Sequence, residues 1–330
     1  MNMGMKLNIG ILGSANIAKR SLIPALLLMK DQFNVLGIAS RSLSDAKDVG
    51  REFNIDAFEG YENLISQPIL DAVYIPLPNA LHSRWIEASL NRNLHVLVEK
   101  SLACDLETVK RLNDLAQRKN LVLIENFQFR FHSQLQTLLD YVKGGSIGDL
   151  RCLRSSFGFP RLNDPDDIRY KKELGGGALL DAGAYTLKIA QIVMGEEIQV
   201  KAANLNSLTG KQVDIWGGAY VQQESSGLFG ELAFGFNHQY QCNVEIWGSQ
   251  GKLSTGRIFT AHPTHEPTLI IETAAGSETI GLPVDNHFIN MLKHFHTLVV
   301  EKDEVGMLAE YRQNENQARL IEEVKQKSNE

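Results

Sequence analysis

The stretch LNIGILGSANIA, residues 7–18, decides the fold of this chain. Its first half, Leu7 to Leu12, is a near-continuous apolar run, which is typical of strands buried on both faces of a parallel sheet. The second half, Gly13 to Ala18, leads into an amphipathic helical pattern. Dinucleotide-binding βα turns carry G-x-G-x-x-G here, because glycines allow a tight turn and close approach to a pyrophosphate. Ala15 and Ala18 replace the second and third glycines.

This degenerate motif is weak when taken alone, because a plain βα turn explains it about as well. Its place at the start of a long β/α alternation favours a dinucleotide site. We therefore predict that Gly13 makes the turn and that Ala15, Asn16 and Ile17 lie against the cofactor.

Apolar runs and amphipathic patterns alternate through the first 125 or so residues. Asn79 and Asp105 stand where they would cap two of the predicted helices. The alternation predicts a doubly wound α/β Rossmann domain over residues 1–125, with a parallel sheet. Its further strands are predicted at Val35–Ala39, Ala72–Leu77, Leu94–Val98 and Leu121–Ile124.

The pattern changes from Asp149 onward to successive strands separated by turn signals. One helical pattern, Gly176–Met194, interrupts them, and two more lie between Asn286 and Lys327. We expect an α+β domain over residues 126–330, with a large open, mostly antiparallel sheet. Its strands are predicted at Arg151–Gly158, Ile198–Asn206, Asp214–Gln222, Leu228–Phe236, Val244–Trp247 and Thr268–Glu272.

Length and composition narrow the class of protein. A chain of 330 residues is long enough for two domains. Its net charge of -6 gives no electrostatic reason to expect a nucleic acid or an anionic membrane as partner. The three cysteines lack C-x-x-C spacing, which disfavours disulfides and a zinc site. We expect a cytoplasmic protein, with no metal and no membrane span.

The second strand ends in Ser40-Arg41-Ser42. NAD enzymes usually have Asp or Glu here for the ribose 2′-hydroxyl, whereas a guanidinium flanked by hydroxyls suits a 2′-phosphate. NADP(H) is therefore favoured over NAD(H). In the alternative, Ser42 merely caps the next helix and Arg41 is solvated.

Two further segments carry chemistry. Glu99 and Lys100 follow an apolar strand, at the edge where open α/β sheets bind ligands, although such a charged pair is often only a loop start. In GGGALLDAGAY, residues 175–185, three glycines permit close backbone approach to a ligand. Asp181 and Tyr185 are four residues apart and would share a helix face. Alternatively, they are a cap-like aspartate and a tyrosine that anchors the domains.

Four segments together resemble the glucose–fructose oxidoreductase and inositol dehydrogenase (Gfo/Idh/MocA) family. The resemblance is strongest to reductases of nucleotide-linked 3-keto sugars, which serve deoxysugar biosynthesis. NADP-dependent dehydrogenases of D-xylose and of dihydrodiols share much of the pattern. The segments are GILGSANIA at 10–18, AVYIPLPNALH at 72–82, HVLVEK at 95–100 and GGGALLDAGAY at 175–185.

The resemblance implies that Lys100 is the lysine of an E-K-P signature, contacting the reacting oxygen and the cofactor, and that Tyr185 is its partner. Ser101 replaces the proline, which is often preceded by a cis bond in relatives. Because a non-proline cis bond costs about 2.5–4 kcal/mol, we expect a trans or locally strained bond. The resemblance also places Leu77, Pro78, Asn79 and His82 at the cofactor. A satisfied surface histidine is the alternative for His82.

The chemical hypothesis is hydride transfer between NADP(H) and a sugar carbonyl. A free tyrosine has a pKa of about 10, and an adjacent ammonium would bring that of Tyr185 closer to neutrality. Tyr185 is therefore favoured as the acid and Lys100 as the electrostatic stabiliser, with the reverse assignment open. Asp181 would hold a sugar hydroxyl or orient Lys100.

Other predicted substrate contacts lie outside these segments. Arg169 and Tyr170 belong to a basic loop, residues 161–172, that could grip a diphosphate. The loop could instead be solvated, with Arg169 touching the cofactor. Asn126 lies just past the last apolar strand of the first domain and is a pocket candidate.

We also expect a homodimer or homotetramer through the C-terminal sheet, whose outer face would otherwise expose Phe, Leu and Val. Two alternative functions remain open. One is an NADP-dependent dehydrogenase of a free sugar, inositol or trans-dihydrodiol, and the other is a non-catalytic dinucleotide-binding regulator.

Overall fold

The apolar run Leu7–Leu12 forms β1, at the centre of a six-stranded parallel sheet. The sheet has the order β3-β2-β1-β4-β5-β6, so the winding reverses between β1 and β4. Ligands of open α/β sheets bind at such a reversal, beyond the carboxyl ends of the strands. The prediction of a doubly wound α/β domain is confirmed. The other strands are β2 (Phe33–Ser40), β3 (Asp56–Glu59), β4 (Ala72–Ile75), β5 (His95–Glu99) and β6 (Leu123–Asn126).

The computed structural model describes residues 5–329, which form two compact units. The first unit comprises the residues up to Asn126 together with Phe288–Glu315, and the second comprises Phe127–His287 and the residues from Asn316 on. We expected one division, between residues 125 and 126, which would place Phe288–Glu315 in the second domain. The structure instead places that segment in the first unit.

Side-chain hydrogen bonds explain why that segment joins the first unit. The Asn113 amide donates to Tyr311 O at 2.8 Å, and Asn314 donates to Leu123 O at 3.2 Å. The Tyr311 hydroxyl also donates to Leu121 O. The segment with Tyr311 and Asn314 is therefore tied to Asn113 and to the chain that enters β6.

The helices of the first unit follow most of the predicted signals. The Asp105 side chain accepts the Thr108 N–H at 2.8 Å and caps α5, as predicted. The prediction that Asn79 caps α4 is wrong. Pro78 occupies the cap position, and the Asn79 oxygen instead accepts the Ser101 N–H at 3.1 Å. The helices are α1 (Ile23–Leu28), α2 (Leu43–Phe53), α3 (Tyr61–Ile65), α4 (Asn79–Asn91), α5 (Leu106–Arg118) and α8 (His287–Glu301). The last helix, α9 (Glu304–Lys327), begins in the first unit and ends in the second.

The second unit is built on an eight-stranded sheet in the order β14-β13-β12-β11-β7-β10-β9-β8. β7 and β10 pair in parallel, and the other neighbours are antiparallel, so the predicted α+β fold is confirmed. The strands are β7 (Leu150–Gly158), β8 (Ile198–Asn206), β9 (Trp216–Gln223), β10 (Phe229–Gly235), β11 (Gln241–Gly248), β12 (Gly251–Gly256), β13 (Thr268–Thr273) and β14 (Gly276–Gly281).

Two helices complete the second unit, α6 (Ser133–Lys143) and α7 (Ala184–Met194). The helix expected from Gly176 begins later than predicted, with a π-helical turn at Leu179–Gly183 that continues directly into α7.

The two faces of this sheet differ in chemistry. Alternation along β10 buries Leu232 and Phe234, and Phe234 lies so close to Gly183 that a β-carbon there would stand 3.1 Å from the ring. The outer face was expected to be rich in Phe, Leu and Val, and that expectation is wrong. Ion pairs lie on it instead, beside the exposed rings of Tyr220 and Trp247, because Leu232 and Phe234 face the opposite side of the sheet. The pairs are Arg154–Glu231, Arg154–Glu245, Lys252–Glu245 and Lys252–Glu272.

Across residues 5–329 the structure contains no helix with the length and hydropathy that a membrane crossing requires.

Candidate active site

The turn after β1 leaves no room for a side chain. Gly13 has φ +120°, and a β-carbon there would lie 2.8 Å from Leu77 Cδ2, so this position requires glycine. Ala15 O accepts the Ala18 N–H at 3.0 Å, and the chain is helical from residue 16 onward. Asn16 is exposed, and Ile17 is half-buried. The first turn of a helix thus follows a bare glycine turn, an arrangement that fits a pyrophosphate.

The turn after β2 combines structural and exposed polar groups. The Ser42 hydroxyl accepts the Asp45 N–H at 3.3 Å and caps α2, so the cap that we considered for Ser42 is present. Ser40 is buried, and its hydroxyl accepts the Ser42 N–H at 3.4 Å. Arg41 is exposed. Burial raises the pKa of Tyr61, and the hydrogen bond from Arg41 opposes that rise. The Arg41 guanidinium therefore lies near the Tyr61 hydroxyl, a proximity that the sequence does not reveal.

His82 connects the loops after β4 and β5. It is fully buried, which contradicts the alternative of a surface histidine. Its Nδ1 lies 2.8 Å from Ser101 O, and its Nε2 lies 2.7 Å from Leu77 O. Burial lowers the pKa of His82 to about 4, although these carbonyl contacts oppose the change. The ring thus lies between two backbone carbonyls, and in its neutral form it carries one N–H and donates to one of them.

The backbone around Lys100 is held by side chains of neighbouring elements. The Lys100–Ser101 peptide bond is cis, whereas we expected a trans or locally strained bond. That expectation considered only the intrinsic preference of the peptide bond. In the structure, Asn79 accepts the Ser101 N–H and Glu125 accepts the Leu102 N–H at 2.9 Å.

A half-buried carboxylate directly precedes Lys100. The Tyr74 hydroxyl donates to Glu99 Oε1 at 2.6 Å, and the Asn126 amide donates to the same oxygen at 2.7 Å. Burial raises the pKa of the Glu99 carboxyl, whereas both hydrogen bonds and the charge on Lys100 oppose the rise. Asn126, predicted as a pocket residue, is the last residue of β6 and is fully buried.

In the second unit, the predicted substrate residues form a short network. Arg169 and Tyr170 lie in one 3₁₀ turn, Ile168–Tyr170. Arg169 Nε donates to Asp181 Oδ2 at 2.6 Å, and Nη1 lies 3.3 Å from each carboxylate oxygen of Asp167. The negative charge of Asp181, followed by that of Asp167, raises the pKa of Arg169. Asp181 is therefore already paired with a cation.

The glycines of residues 175–177 approach the protein's own backbone. A β-carbon on Gly176 would lie 2.5 Å from Arg169 O, and one on Gly177 would lie 2.3 Å from Asp214 Oδ1. Asp214 also accepts the Leu179 N–H at 2.6 Å, at the start of the helical segment. The close approach that we predicted is thus made to neighbouring protein atoms. It fixes the turn that carries Arg169.

Tyr185 is surrounded by aromatic rings of the second unit. Its ring is 7% exposed, and four other rings lie within 6 Å of it. All four neighbours meet it in edge-on or tilted arrangements, which aromatic pairs favour. The neighbouring residues are Phe127, Phe129, Phe157 and Phe259.

The predicted site residues thus fall into two groups. One group lies where strands of the first unit end, at one edge of its sheet. It comprises the turn after β1, the residues that follow β2 and β4, and Glu99, Lys100 and Asn126. Arg169, Tyr170, Asp181 and Tyr185 belong to the second unit. Within residues 5–329, no three His, Cys, Asp or Glu side chains are arranged to hold a metal ion.

Comparison with known families matches both units of the chain. Residues 7–127 match the model of the oxidoreductase family with an NAD-binding Rossmann fold, and residues 135–254 match the Gfo/Idh/MocA C-terminal domain. The expected family resemblance is thereby confirmed.

Individual relatives extend this similarity. The chain is 40% identical to dTDP-3,4-didehydro-2,6-dideoxy-alpha-D-glucose 3-reductase of Streptomyces violaceoruber, over 84% of this chain and 80% of the relative. It is 31% identical to D-xylose 1-dehydrogenase (NADP(+)) 2 of Haloferax volcanii, over 80% of each chain.

A solved structure is similar over nearly the whole chain. A 3-ketoreductase from Actinomadura kijaniata, in complex with NADP and TDP-benzene, has a TM-score of 0.92 and 33% identity, over 98% of each chain. The same enzyme was also crystallised with a tyrosine replaced by phenylalanine and with a lysine replaced by alanine.

Proposed function

Because this chain belongs to the Gfo/Idh/MocA family of oxidoreductases, we propose that it reduces the keto group of a nucleotide-linked 3-keto sugar with NADPH. The observation that carries the proposal is the shared sheet edge of the first unit. A bare glycine turn at Gly13, the exposed Arg41 and the firmly held Lys100 all follow strands that end there. The 40% identity to a dTDP-keto-sugar 3-reductase supports the substrate class.

The cofactor-binding residues fit NADPH in both of its anionic groups. Gly13, Ala15, Asn16 and Ile17 would hold the pyrophosphate at the helix start. Arg41, between two hydroxyl residues, would bind the 2′-phosphate. NADPH, when bound, supplies the hydride that adds to the carbonyl carbon.

Two residues of the chain would stabilise the charge on the carbonyl oxygen and supply its proton. As the carbonyl oxygen gains negative charge, the Lys100 ammonium stabilises it electrostatically. Tyr185 donates its hydroxyl proton to that oxygen, which yields the alcohol and leaves a tyrosinate that solvent reprotonates. The phenylalanine rings around Tyr185 hold its ring in place.

A direct assay tests the function. Purified protein is mixed with an enzymatically prepared dTDP-3-keto-6-deoxy sugar, and consumption of NADPH is followed by absorbance, with NADH in parallel. We expect turnover with NADPH and much slower turnover with NADH. Tight NADPH binding without turnover would reject the keto-sugar assignment.

Replacing Arg41 by alanine is expected to weaken NADPH binding about 10- to 100-fold and to leave NADH binding nearly unchanged. The lost interaction is a hydrogen bond to a charged phosphate, which contributes about 1.5–3 kcal/mol. Calorimetric titration with both cofactors measures the effect. Arg51→Ala is the matched control, because its guanidinium is 79% exposed on the next helix and pairs with Asp48. Equal weakening in both variants would reject the 2′-phosphate role.

One observation favours a second candidate, an NADP-dependent dehydrogenase of a free sugar. Arg169 already binds Asp181 and Asp167 through Nε and Nη1, so fewer of its N–H groups can bind a diphosphate. The similarity to a D-xylose dehydrogenase points the same way. Oxidation of free pentoses with NADP+, measured beside the keto-sugar assay, separates the two candidates. A cytoplasmic location and a homodimer or homotetramer remain further predictions.

A further inference from the structure

A hydrogen-bonded group at the ends of β4, β5 and β6 involves three side chains. Tyr74 and Asn126 are fully buried, and both donate to Glu99 Oε1, at 2.6 and 2.7 Å. The donors come from the two strands that flank β5. One carboxylate oxygen is therefore fixed from both sides, immediately before Lys100 in the chain.

The two donors require an acceptor at Glu99 Oε1, and they stabilise a carboxylate more than a neutral carboxyl group. An amide N–H can only donate, so the oxygen that it meets must be an acceptor. Burial raises the pKa of Glu99, and the hydrogen bonds from Tyr74 and Asn126 offset part of that rise. The titratable groups that act on Glu99 in the described chain are Tyr74 and Lys100, and the Lys100 charge also favours the carboxylate.

We propose that Tyr74 and Asn126 are positioning residues, which hold Glu99 as a carboxylate of fixed orientation and thereby fix Lys100. Neither residue touches the reacting atoms in this proposal. Their effect passes through Glu99, which shares the backbone with Lys100. The proposal rests on the proposed function, because it takes Lys100 as the stabilising residue of a reductase.

A double-variant cycle tests this dependence. Turnover of the keto sugar is measured from pH 5 to 9 for the wild type, Tyr74→Phe, Glu99→Gln and the double variant. We expect Tyr74→Phe to lower kcat about tenfold, and to change it less than about twofold when Glu99 is already Gln. Residues that act as one unit show such non-additivity. If the double variant instead loses kcat by the product of the two single-variant factors, the proposal is overturned.

The pH profile supplies a readout that a purely structural role would not move. Without the Tyr74 donor the pKa of Glu99 rises further, so the loss of activity in acid should begin at higher pH. Tyr311→Phe is the matched control, because it also removes a buried hydroxyl of the first unit, one bonded to Leu121 O. This variant should have a lower melting temperature, and its activity should fall at the same acidic pH as that of the wild type (the acid limb of the profile).

Two additional measurements keep the proposal separable from folding and from the proposed function. If Tyr74→Phe does not fold, Asn126→Ala replaces it in the same cycle, with the same expectations. NADPH binding is followed by fluorescence across the same pH range, because it needs no sugar. If the wild type lacks turnover, the reductase function fails. The inference then stands if the acid limb of NADPH binding shifts in Tyr74→Phe, and it falls if that limb is unmoved.

Discussion

Replacing Tyr185 by phenylalanine is expected to lower kcat by about 10²- to 10⁴-fold, the usual contribution of a positioned general acid. The affinity for NADPH should change far less, because the substitution removes one hydroxyl. The ring keeps its contacts with Phe127 and Phe157, whose centroids lie 5.4 and 5.2 Å away. The variant should therefore fold normally, and its defect should lie in the chemical step.

Steady-state kinetics and NADPH titration of the same preparation measure this prediction. Tyr240→Phe is a suitable control, because it removes another tyrosine hydroxyl of the second unit, one that lies 3.0 Å from Thr260 Oγ1. Lys100→Ala, measured in parallel, separates the two assignments of the proton donor. If Tyr185→Phe keeps wild-type turnover and Lys100→Ala is inactive, Lys100 is the donor. If both are inactive and Lys100→Arg retains activity, the charge is what Lys100 supplies.

The sequence predicts the fold best where strands are buried on both faces. β1 was predicted at its observed bounds, because Leu7–Leu12 is apolar throughout. β3 and β14 were not predicted. Both lie at sheet edges, and their sequences DAFE and GSETIG lack an apolar run. β12, GKLSTG, was also missed, because its polar and glycine residues read as a turn. Edge and mixed strands owe their existence to pairing partners that periodicity does not reveal.

The candidate site was predictable where it follows from strand ends. Glu99 and Lys100 were predicted to follow β5, and the structure makes Glu99 its last residue and Lys100 the next one. Both lie at the edge where the carboxyl ends of parallel strands meet. Tyr74 was not recognised, since it lies inside the apolar run AVYI and reads as a core residue. Its hydroxyl reaches Glu99 only through the β4–β5 register, which pairs Tyr74 with Leu97. Such a contact depends on strand order, which a local pattern does not contain.

Acidification from pH 7 to pH 5 is expected to destabilise the first unit through His95. Its Nδ1 accepts the Val122 N–H at 3.0 Å, a bond that requires the unprotonated nitrogen. Burial lowers the pKa of His95 to about 4, against an ordinary value of 6.5, and Asp71 opposes the change. The unfolded chain thus binds the proton first. The stability contribution is complete above pH 6.5 and is lost as the pH falls towards 4.

The size of the effect follows from the same shift. Between pH 7 and pH 5, preferential protonation of the unfolded chain costs about 2 kcal/mol at this one residue. Urea unfolding of the wild type and of His95→Asn at both pH values measures it, because Asn retains an acceptor without titrating. Burial also lowers the pKa of His82 to about 4 and that of His287 to about 3, so the variant should retain part of the pH dependence. An identical loss of stability in both proteins would mean that His95 is already protonated in the folded state, and that the Val122 N–H has another acceptor.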